Sequence, residues 1–196
     1  MSDIAALNKD RQGFAHRLRR PLPQSPTHRA ASRGTRFHEW VESYFAQTQP
    51  LIERAAVDPG EDLSDHDLAA LQQAFIHGPF GDTAQPPQWL EVPVDIPFGG
   101  TRVRGRIDAV YHRPNTQSEQ EQQWHIVDWK TGQHPADVIQ LACYRIGWAE
   151  RLGVAPEQVQ ASFYYLLRDP EDAVETPDLS AYDRPALERI LTQDPR

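Results

Sequence analysis

The chain has 196 residues, 39% of them hydrophobic, which predicts one domain with a core of ordinary size. No apolar run approaches the length of a membrane span and the N-terminus lacks a signal-peptide pattern, so we expect a cytoplasmic protein without a membrane partner. The single cysteine, Cys143, excludes an internal disulfide. A net charge of −8 argues against a nucleic-acid binder unless the two kinds of charge are separated.

Basic and acidic residues are in fact separated along the chain. Eight lysines or arginines and one acid lie between Lys9 and Arg36, whereas eight acids and three arginines lie between Asp169 and Arg196. We predict a basic, proline-containing arm over residues 1–33, a central domain over 34–168 and an acidic tail with a short helix over 169–196. The arm is either a nucleic-acid contact or a solvated linker.

Two helices are predicted at the start of the central domain. The first runs from Thr35, a favourable capping residue, to about Gln47, and its apolar face contains Phe37, Trp40, Val41, Tyr44 and Phe45. The second begins at Ser64 and ends before Gly78-Pro79. His38 lies at the margin of the first apolar face, where it is either a packed core histidine or a ligand.

Three strands follow, joined by short connections that predict an antiparallel meander. In residues 89–97 the pattern places Leu90, Val92, Val94 and Ile96 opposite Glu91 and Asp95. In residues 101–111 it places Val103, Ile107, Ala109 and Tyr111 opposite Arg102, Arg104, Arg106 and Asp108. The third strand begins at Trp124, after a polar hairpin tip over residues 115–123.

The rest of the chain predicts a crossover. A helix opens at His134-Pro135 and runs to about Leu152, with Gly153 past its end. The strand over residues 158–167 then lies parallel to an earlier strand. Residues 170–177 are expected to be irregular, and residues 184–192 to form a last helix. The predicted fold class is α/β, with a mixed β-sheet core flanked by helices.

Two charged residues end the third strand. Side chains alternate in a strand, so Asp128 and Lys130 point to one face and Trp129 to the other. Burying a charge is unfavourable unless it is paired or bound to a metal. The two residues are therefore either a structural ion pair, or a metal-binding carboxylate beside a lysine that meets a phosphate or a water.

Four short motifs in a fixed order decide how the chain is interpreted. They are a helical histidine in GTRFHEWVE (34–42), GRID (105–108), DWKTG (128–132) and QLACY (140–144). Over roughly residues 30–168 the chain resembles RecB-like nucleases of the PD-(D/E)XK superfamily, in particular the C-terminal nuclease domain of actinobacterial UvrD-like and Adn-type helicase-nucleases. The resemblance implies a restriction-endonuclease-like fold and a metal-dependent deoxyribonuclease, an exonuclease in preference to an endonuclease.

The resemblance also implies roles for individual residues. Asp108, Asp128, His38 and the backbone carbonyl of Trp129 would bind the metal, and Lys130 would orient the attacking water or neutralise the scissile phosphate. Glu91 either holds a metal-bound water or is a surface acid. Gln140 and Tyr144, four residues apart on a helix, line the DNA path, support Lys130 or form only a surface pair.

The implied chemistry indicates the cofactor. Phosphodiester hydrolysis requires an attacking water, a neutralised phosphate and a stabilised leaving oxygen, and a divalent cation held by carboxylates serves all three needs. Carboxylate oxygens suit Mg²⁺ or Mn²⁺, and the imidazole ligand favours Mn²⁺. A single cysteine excludes the four-cysteine iron–sulfur cluster that some relatives carry.

The implied partners are DNA, in single-stranded form, and helicase motor domains. The sequence has no GxxxxGK[ST] phosphate loop, so we expect a fragment of a helicase-nuclease active in DNA end processing, repair and recombination, or else a free-standing product. Two alternatives remain open. One is a catalytically idle, nuclease-like module that binds DNA or acts as a scaffold. The other is a globular protein in which Asp128 and Lys130 form only a salt bridge.

Overall fold

A computed structural model describes residues 29–48, 66–113, 124–132 and 136–192. Most of the predicted arm, the Ser64 cap, the hairpin tip over residues 115–123 and the helix start at His134-Pro135 lie outside these ranges. The segment boundaries predicted after residues 33 and 168 stay predictions.

The centre of the molecule is one five-stranded sheet in the order β1-β2-β3-β4-β5. Its strands are β1 Trp89–Phe98, β2 Thr101–His112, β3 Trp124–Lys130, β4 Val159–Tyr165 and β5 Val174–Glu175. The first three are antiparallel neighbours, β4 is parallel to β3, and β5 is antiparallel to β4. The predicted α/β class with a mixed sheet is confirmed, as are the meander and the crossover.

One stretch expected to be irregular contains a strand. Val174 pairs with Tyr164 and Glu175 with Phe163, and the Tyr165 amide donates to the Ala173 carbonyl at 2.8 Å. Two residues are too few to show an alternating pattern in a sequence. This strand exists because the exposed edge of β4 offers unpaired backbone groups, which the returning chain satisfies.

Four α-helices are present among the described residues: α1 Arg29–Thr48, α2 His66–Ile76, α3 Val138–Leu152 and α4 Arg184–Thr192. Helix α4 was predicted with the same bounds. Helix α1 starts earlier than expected, so Thr35 lies within it and is not its cap. Helix α3 starts later, because the Asp137 carboxylate accepts hydrogen bonds from the amides of Ile139 and Gln140 and caps it there. Its predicted end is confirmed, with Gly153 left-handed at φ 69°.

The core has two parts, one on each face of the sheet. Helices α3 and α4 cover one face, in a cluster that includes Ile107, Ile126, Tyr144, Phe163 and Leu187. Helices α1 and α2 cover the other face, in a cluster that includes Phe37, Phe75, Ala109, Val127 and Trp129. Adjacent residues of β3 thus enter opposite clusters, as the period of two in a strand requires.

The alternation expected in β1 and β2 is wrong at one point. Leu90 and Ala109 pack on the α1 side, whereas Val92 and Ile107, two positions away on the same strands, pack on the α3 side. Between them lie Glu91, at φ +49°, and Asp108. The positive φ changes which side of the strand faces inward, while the strand keeps its direction and its pairing with β2. A glutamate gives no sequence signal for this conformation, so the change of face could not be predicted.

In the part of the chain that the structure describes, every helix is too short or too polar to span a bilayer.

Candidate functional site

Three side chains from different elements meet where β1 and β2 change face. The Nδ1 atom of His38, on α1, lies 2.7 Å from Glu91 Oε1 and 3.6 Å from Asp108 Oδ1. One potential ligand atom from each of the three residues falls within 4.8 Å of the others. Two carboxylates and an imidazole at this spacing form a candidate metal site.

Helix α1 is held against the end of β3, and this contact positions His38. The Arg33 guanidinium donates to the Thr131 carbonyl at 3.2 Å and to Asp67, on α2, at 2.9 Å. A Cβ atom on Gly34 would lie 3.2 Å from Thr131 Oγ1, so the absence of a side chain there permits the close approach. Neither Arg33 nor this use of Gly34 was predicted, because both depend on a contact between segments almost a hundred residues apart.

Asp108 is the buried acid of the cluster, at 8% exposure. Its Oδ2 atom accepts a hydrogen bond from the Trp129 amide at 2.7 Å. Burial, together with the nearby Asp128 carboxylate, raises the pKa of Asp108 to about 8, although the charge of His38 and the Trp129 amide act in the opposite direction. The metal-free site therefore holds this carboxyl protonated near neutral pH, a state that a bound cation would reverse.

Asp128 and Lys130 lie side by side, as the alternation of β3 predicts. The ammonium of Lys130 is ion-paired with Asp128 Oδ2 and lies 5.5 Å from the centre of the Phe163 ring. Trp129 packs on the opposite face, with ring centres 5.4 Å from Phe75 and 5.5 Å from His38. Burial raises the pKa of Asp128 despite the favourable charge of Lys130.

The ion pair does not exclude a role in a metal site. His38 and Glu91 both act on the pKa of Asp128, and Asp128 acts on that of Asp108, so the four groups form one electrostatic unit. His38, Lys130 and Arg106 all contact acids of this unit, and carboxylates gathered in this way can also bind a metal cation. The structural and the metal-binding interpretations of Asp128 and Lys130 are therefore compatible.

Glu91 is not a surface acid, because only 8% of its side chain is exposed. Burial by itself would raise its pKa, but the hydrogen bond from His38 and the contact with Arg106 Nη1 at 3.2 Å outweigh burial and lower it. Burial likewise lowers the pKa of His38, yet Glu91, Asp108 and Asp128 outweigh that effect and the pKa is raised. His38 and Glu91 thus each favour the charged form of the other.

Gln140 and Tyr144 share a helix face, as their spacing predicts, but they are not a surface pair. Tyr144 is buried, and Gln140 Nε2 donates to its hydroxyl at 2.7 Å. A Cβ atom on Gly105 would lie 2.1 Å from the same hydroxyl. The glycine of the GRID motif therefore makes room for Tyr144 beside the strand that carries Asp108, a use of Gly105 that the motif alone did not predict.

A pocket of about 260 Å³ opens next to His38 and Glu91. Its wall is formed by α1 on one side and by the sheet on the other, through residues Gly34, Thr35, His38, Glu39, Glu42, Glu91 and Arg106. The candidate metal site is thus accessible to solvent, and the Arg106 guanidinium lines the pocket beside it.

The donor set fits a divalent cation. Carboxylate oxygens are the preferred ligands of Mg²⁺ and Mn²⁺, and the imidazole of His38 is within reach of the same point. The structure brings His38, Glu91 and Asp108 together and places Asp128 and Lys130 in the same buried unit. The role predicted for the Trp129 carbonyl stays a prediction.

Comparison with known proteins agrees with this geometry. A family model described as the PD-(D/E)XK nuclease superfamily matches residues 11–194. A search of curated proteins gave no match. Nucleases of this superfamily use divalent metals, and the mixed sheet with its cluster of histidine and carboxylates fits that chemistry. The chain belongs to the PD-(D/E)XK nuclease superfamily.

Proposed function

We propose that the protein hydrolyses DNA phosphodiester bonds as the nuclease module of an ATP-dependent helicase-nuclease that processes DNA ends in repair and recombination. The observation that carries the proposal is the meeting of His38, Glu91 and Asp108 within 4.8 Å, in the same buried unit as the Asp128–Lys130 pair. Solvent can enter this unit through the pocket beside α1.

His38, Asp108 and Asp128, with the Trp129 carbonyl, would hold Mg²⁺ or Mn²⁺. When bound, such a cation neutralises the phosphate and makes a water more acidic. The imidazole favours Mn²⁺ over Mg²⁺, because nitrogen is a softer donor than carboxylate oxygen.

The remaining residues act by position and charge. Lys130 has three N–H donors, so it can keep its contact with Asp128 and also hold the attacking water or a phosphate oxygen. Glu91 can accept a hydrogen bond from a water in the pocket. Tyr144 and Gln140 support the strand of Asp108 from the α3 side, through the contact with Gly105.

The substrate we infer is single-stranded DNA, cut from an end and supplied by helicase motor domains of the same or a partner chain. From this proposed role in DNA end processing we also infer a cytoplasmic location. The pocket has a volume of about 260 Å³ and lies between a helix and a sheet, which favours a single strand over a duplex.

Cleavage of end-labelled single-stranded DNA at low salt, with Mn²⁺, Mg²⁺ or EDTA, tests the proposal. We expect metal-dependent cutting that is lost in Asp128→Ala and Lys130→Ala and retained in Asp172→Ala, an exposed acid outside the site. Melting temperatures of all four proteins separate loss of the site from loss of the fold.

Two results would contradict the proposal in different ways. No cutting, with Mn²⁺ still raising the melting temperature of the wild type, would favour the idle scaffold module. No cutting and no effect of any metal would overturn the metal site and leave Asp128 and Lys130 as a structural pair.

A further inference from the structure

A row of arginines leads along strand β2 towards the site. Arg102, Arg104 and Arg106 alternate with inward residues, and their side chains are 54%, 72% and 63% exposed. Alternate residues of a strand are spaced by about 6.6 Å, so the backbone positions of the three arginines form a regular line. Arg106, the last of the three, contacts Glu91, so the line ends at the candidate metal site.

The line and the site open on the same side of the sheet. Arg106 contacts Glu91 and forms part of the wall of the pocket below α1. The neighbouring acid on β1, Asp95, is paired in register with Arg104 and contacts Arg102 Nε at 2.7 Å and Arg104 Nε at 3.3 Å. The three arginines therefore project from one face of the β1–β2 hairpin.

Positive charge exceeds negative charge in this row. A guanidinium has five N–H donors, and the contacts with Asp95 and Glu91 engage one nitrogen of each arginine. Asp95 is shared by two arginines, and Glu91 is shared by Arg106 and His38. The concentration of cations on one hairpin contrasts with a chain whose net charge is −8.

We propose that Arg102, Arg104 and Arg106 bind successive phosphates of the DNA strand whose end enters the site. The inference rests on the proposed function, and it assigns the direction along which the substrate lies: over the β1–β2 hairpin and into the pocket at Arg106. Arginine binds phosphate through paired N–H donors, and an extended single strand presents its phosphates at a repeat similar to that of alternate strand residues.

Asp95 has a definite part in this arrangement. In the free protein it holds Arg102 and Arg104 in place and competes with phosphate for them. Removal of its charge should therefore strengthen DNA binding, whereas removal of either arginine should weaken it. If the contacts of Asp95 with Arg102 and Arg104 were only structural, loss of the acid and loss of an arginine would change the affinity for DNA in the same direction.

The test is the binding of a labelled oligothymidylate in EDTA, followed by fluorescence anisotropy over a series of salt concentrations. The affinity for single strands falls with salt in proportion to the phosphates contacted, with a logarithmic slope of about −0.7 for each. We expect Arg104→Gln to weaken binding several-fold and to reduce the slope by about 0.7, and the double change of Arg102 and Arg104 to glutamine to reduce it by about 1.4. Asp95→Asn should tighten binding several-fold.

Matched variants control for charge alone. Arg189→Gln, on the exposed face of α4, removes the same charge as Arg104→Gln, and Asp172→Asn the same charge as Asp95→Asn. The inference is overturned if Arg104→Gln behaves like Arg189→Gln, if Asp95→Asn behaves like Asp172→Asn, or if the wild type does not bind at low salt.

These outcomes are separate from those of the proposed function. If the wild type cuts DNA and Arg104→Gln has the same KM as the wild type, the phosphate-binding role of the arginine row is overturned and the proposed nuclease activity stands. If DNA binding depends on the arginine row but no metal-dependent cutting is seen, the phosphate-binding role is supported and the proposed nuclease activity is overturned. Equal melting temperatures for Arg104→Gln and the wild type would show that a change in binding is not a change in folding.

Discussion

Two acids of the candidate site are buried in the protein. Asp108 and Asp128 are 8% and 7% exposed, and burial raises the pKa of both. In the metal-free protein these groups are held at a cost to stability, since the charged form is poorly solvated. The two carboxyl groups that could bind a cation therefore destabilise the folded protein while no cation is bound.

Replacement of Asp108 by asparagine should change how stability depends on pH. The pKa of Asp108 is about 8 in the folded protein and about 4 in the unfolded chain, so between these values the folded state binds the extra proton. Stability of the wild type without metal should therefore fall as pH rises from about 5 to about 8. Asp108→Asn carries no titrating group, and its denaturant midpoint should change less over the same range.

The measurement is urea unfolding in EDTA at several pH values, with Asp172→Asn as the control for an exposed acid. An equal pH dependence in the wild type and in Asp108→Asn would show that Asp108 is not protonated at neutral pH.

At the scale of elements, the site depends on contacts that bring α3 and α1 onto the sheet. Gly105 lets the Tyr144 hydroxyl of α3 lie against β2, and Arg33 ties α1 to the end of β3. Both contacts join segments distant in sequence. These contacts fix the position of the strand that carries Asp108 and of the helix that carries His38.

A methyl group at Gly105 should be poorly tolerated. In Gly105→Ala the new Cβ would lie 2.1 Å from the Tyr144 hydroxyl, and overpacking of this kind costs about 1–3 kcal/mol. Tyr144→Phe removes that oxygen, so the double variant should recover part of the loss. Urea unfolding of the two single variants and the double variant measures the coupling between the sites. Additive losses would show that the two residues do not interact.

Much of this element structure could be predicted, because it depends on local rules. The alternation in β3 places Asp128 and Lys130 on one face, and Gly153 marks the end of α3. The change of face at Glu91 and the strand Val174–Glu175 could not be predicted, since the first depends on one unusual φ and the second on an edge that another element leaves free. The early start of α1 has no sequence signal that we can identify.

At the scale of the whole molecule, the described residues form a sheet with helices on both faces, and the chain after the crossover contributes to the core. Leu187 and Leu191 of α4 are buried in the same cluster as Ile107 and Phe163. The Arg184 guanidinium also donates to the Pro97 carbonyl at 2.8 Å, so α4 is fixed to the β1–β2 hairpin. Sequence alone predicted helix α4 but not its place against the hairpin.

Truncation of Leu187 should therefore weaken the whole fold. Leu187 is 0% exposed, and removal of a buried leucine side chain to alanine costs about 2–5 kcal/mol. Leu167→Ala is the matched control, because Leu167 is 45% exposed and its loss should change stability by less than about 0.5 kcal/mol. Denaturant unfolding of both variants gives the comparison. Equal stabilities would mean that α4 is not part of the cooperative unit.

The backbone at Glu91 has a consequence for how such a site decays over evolutionary time. Among the described residues it is the one non-glycine with a positive φ, a conformation that costs an ordinary L-residue about 1–2 kcal/mol relative to the right-handed region. Contacts with His38 and Arg106 offset that cost only while both partners remain. In a lineage no longer selected for cleavage, loss of either partner would remove the compensation, and drift from glutamate to glycine would then relieve the backbone.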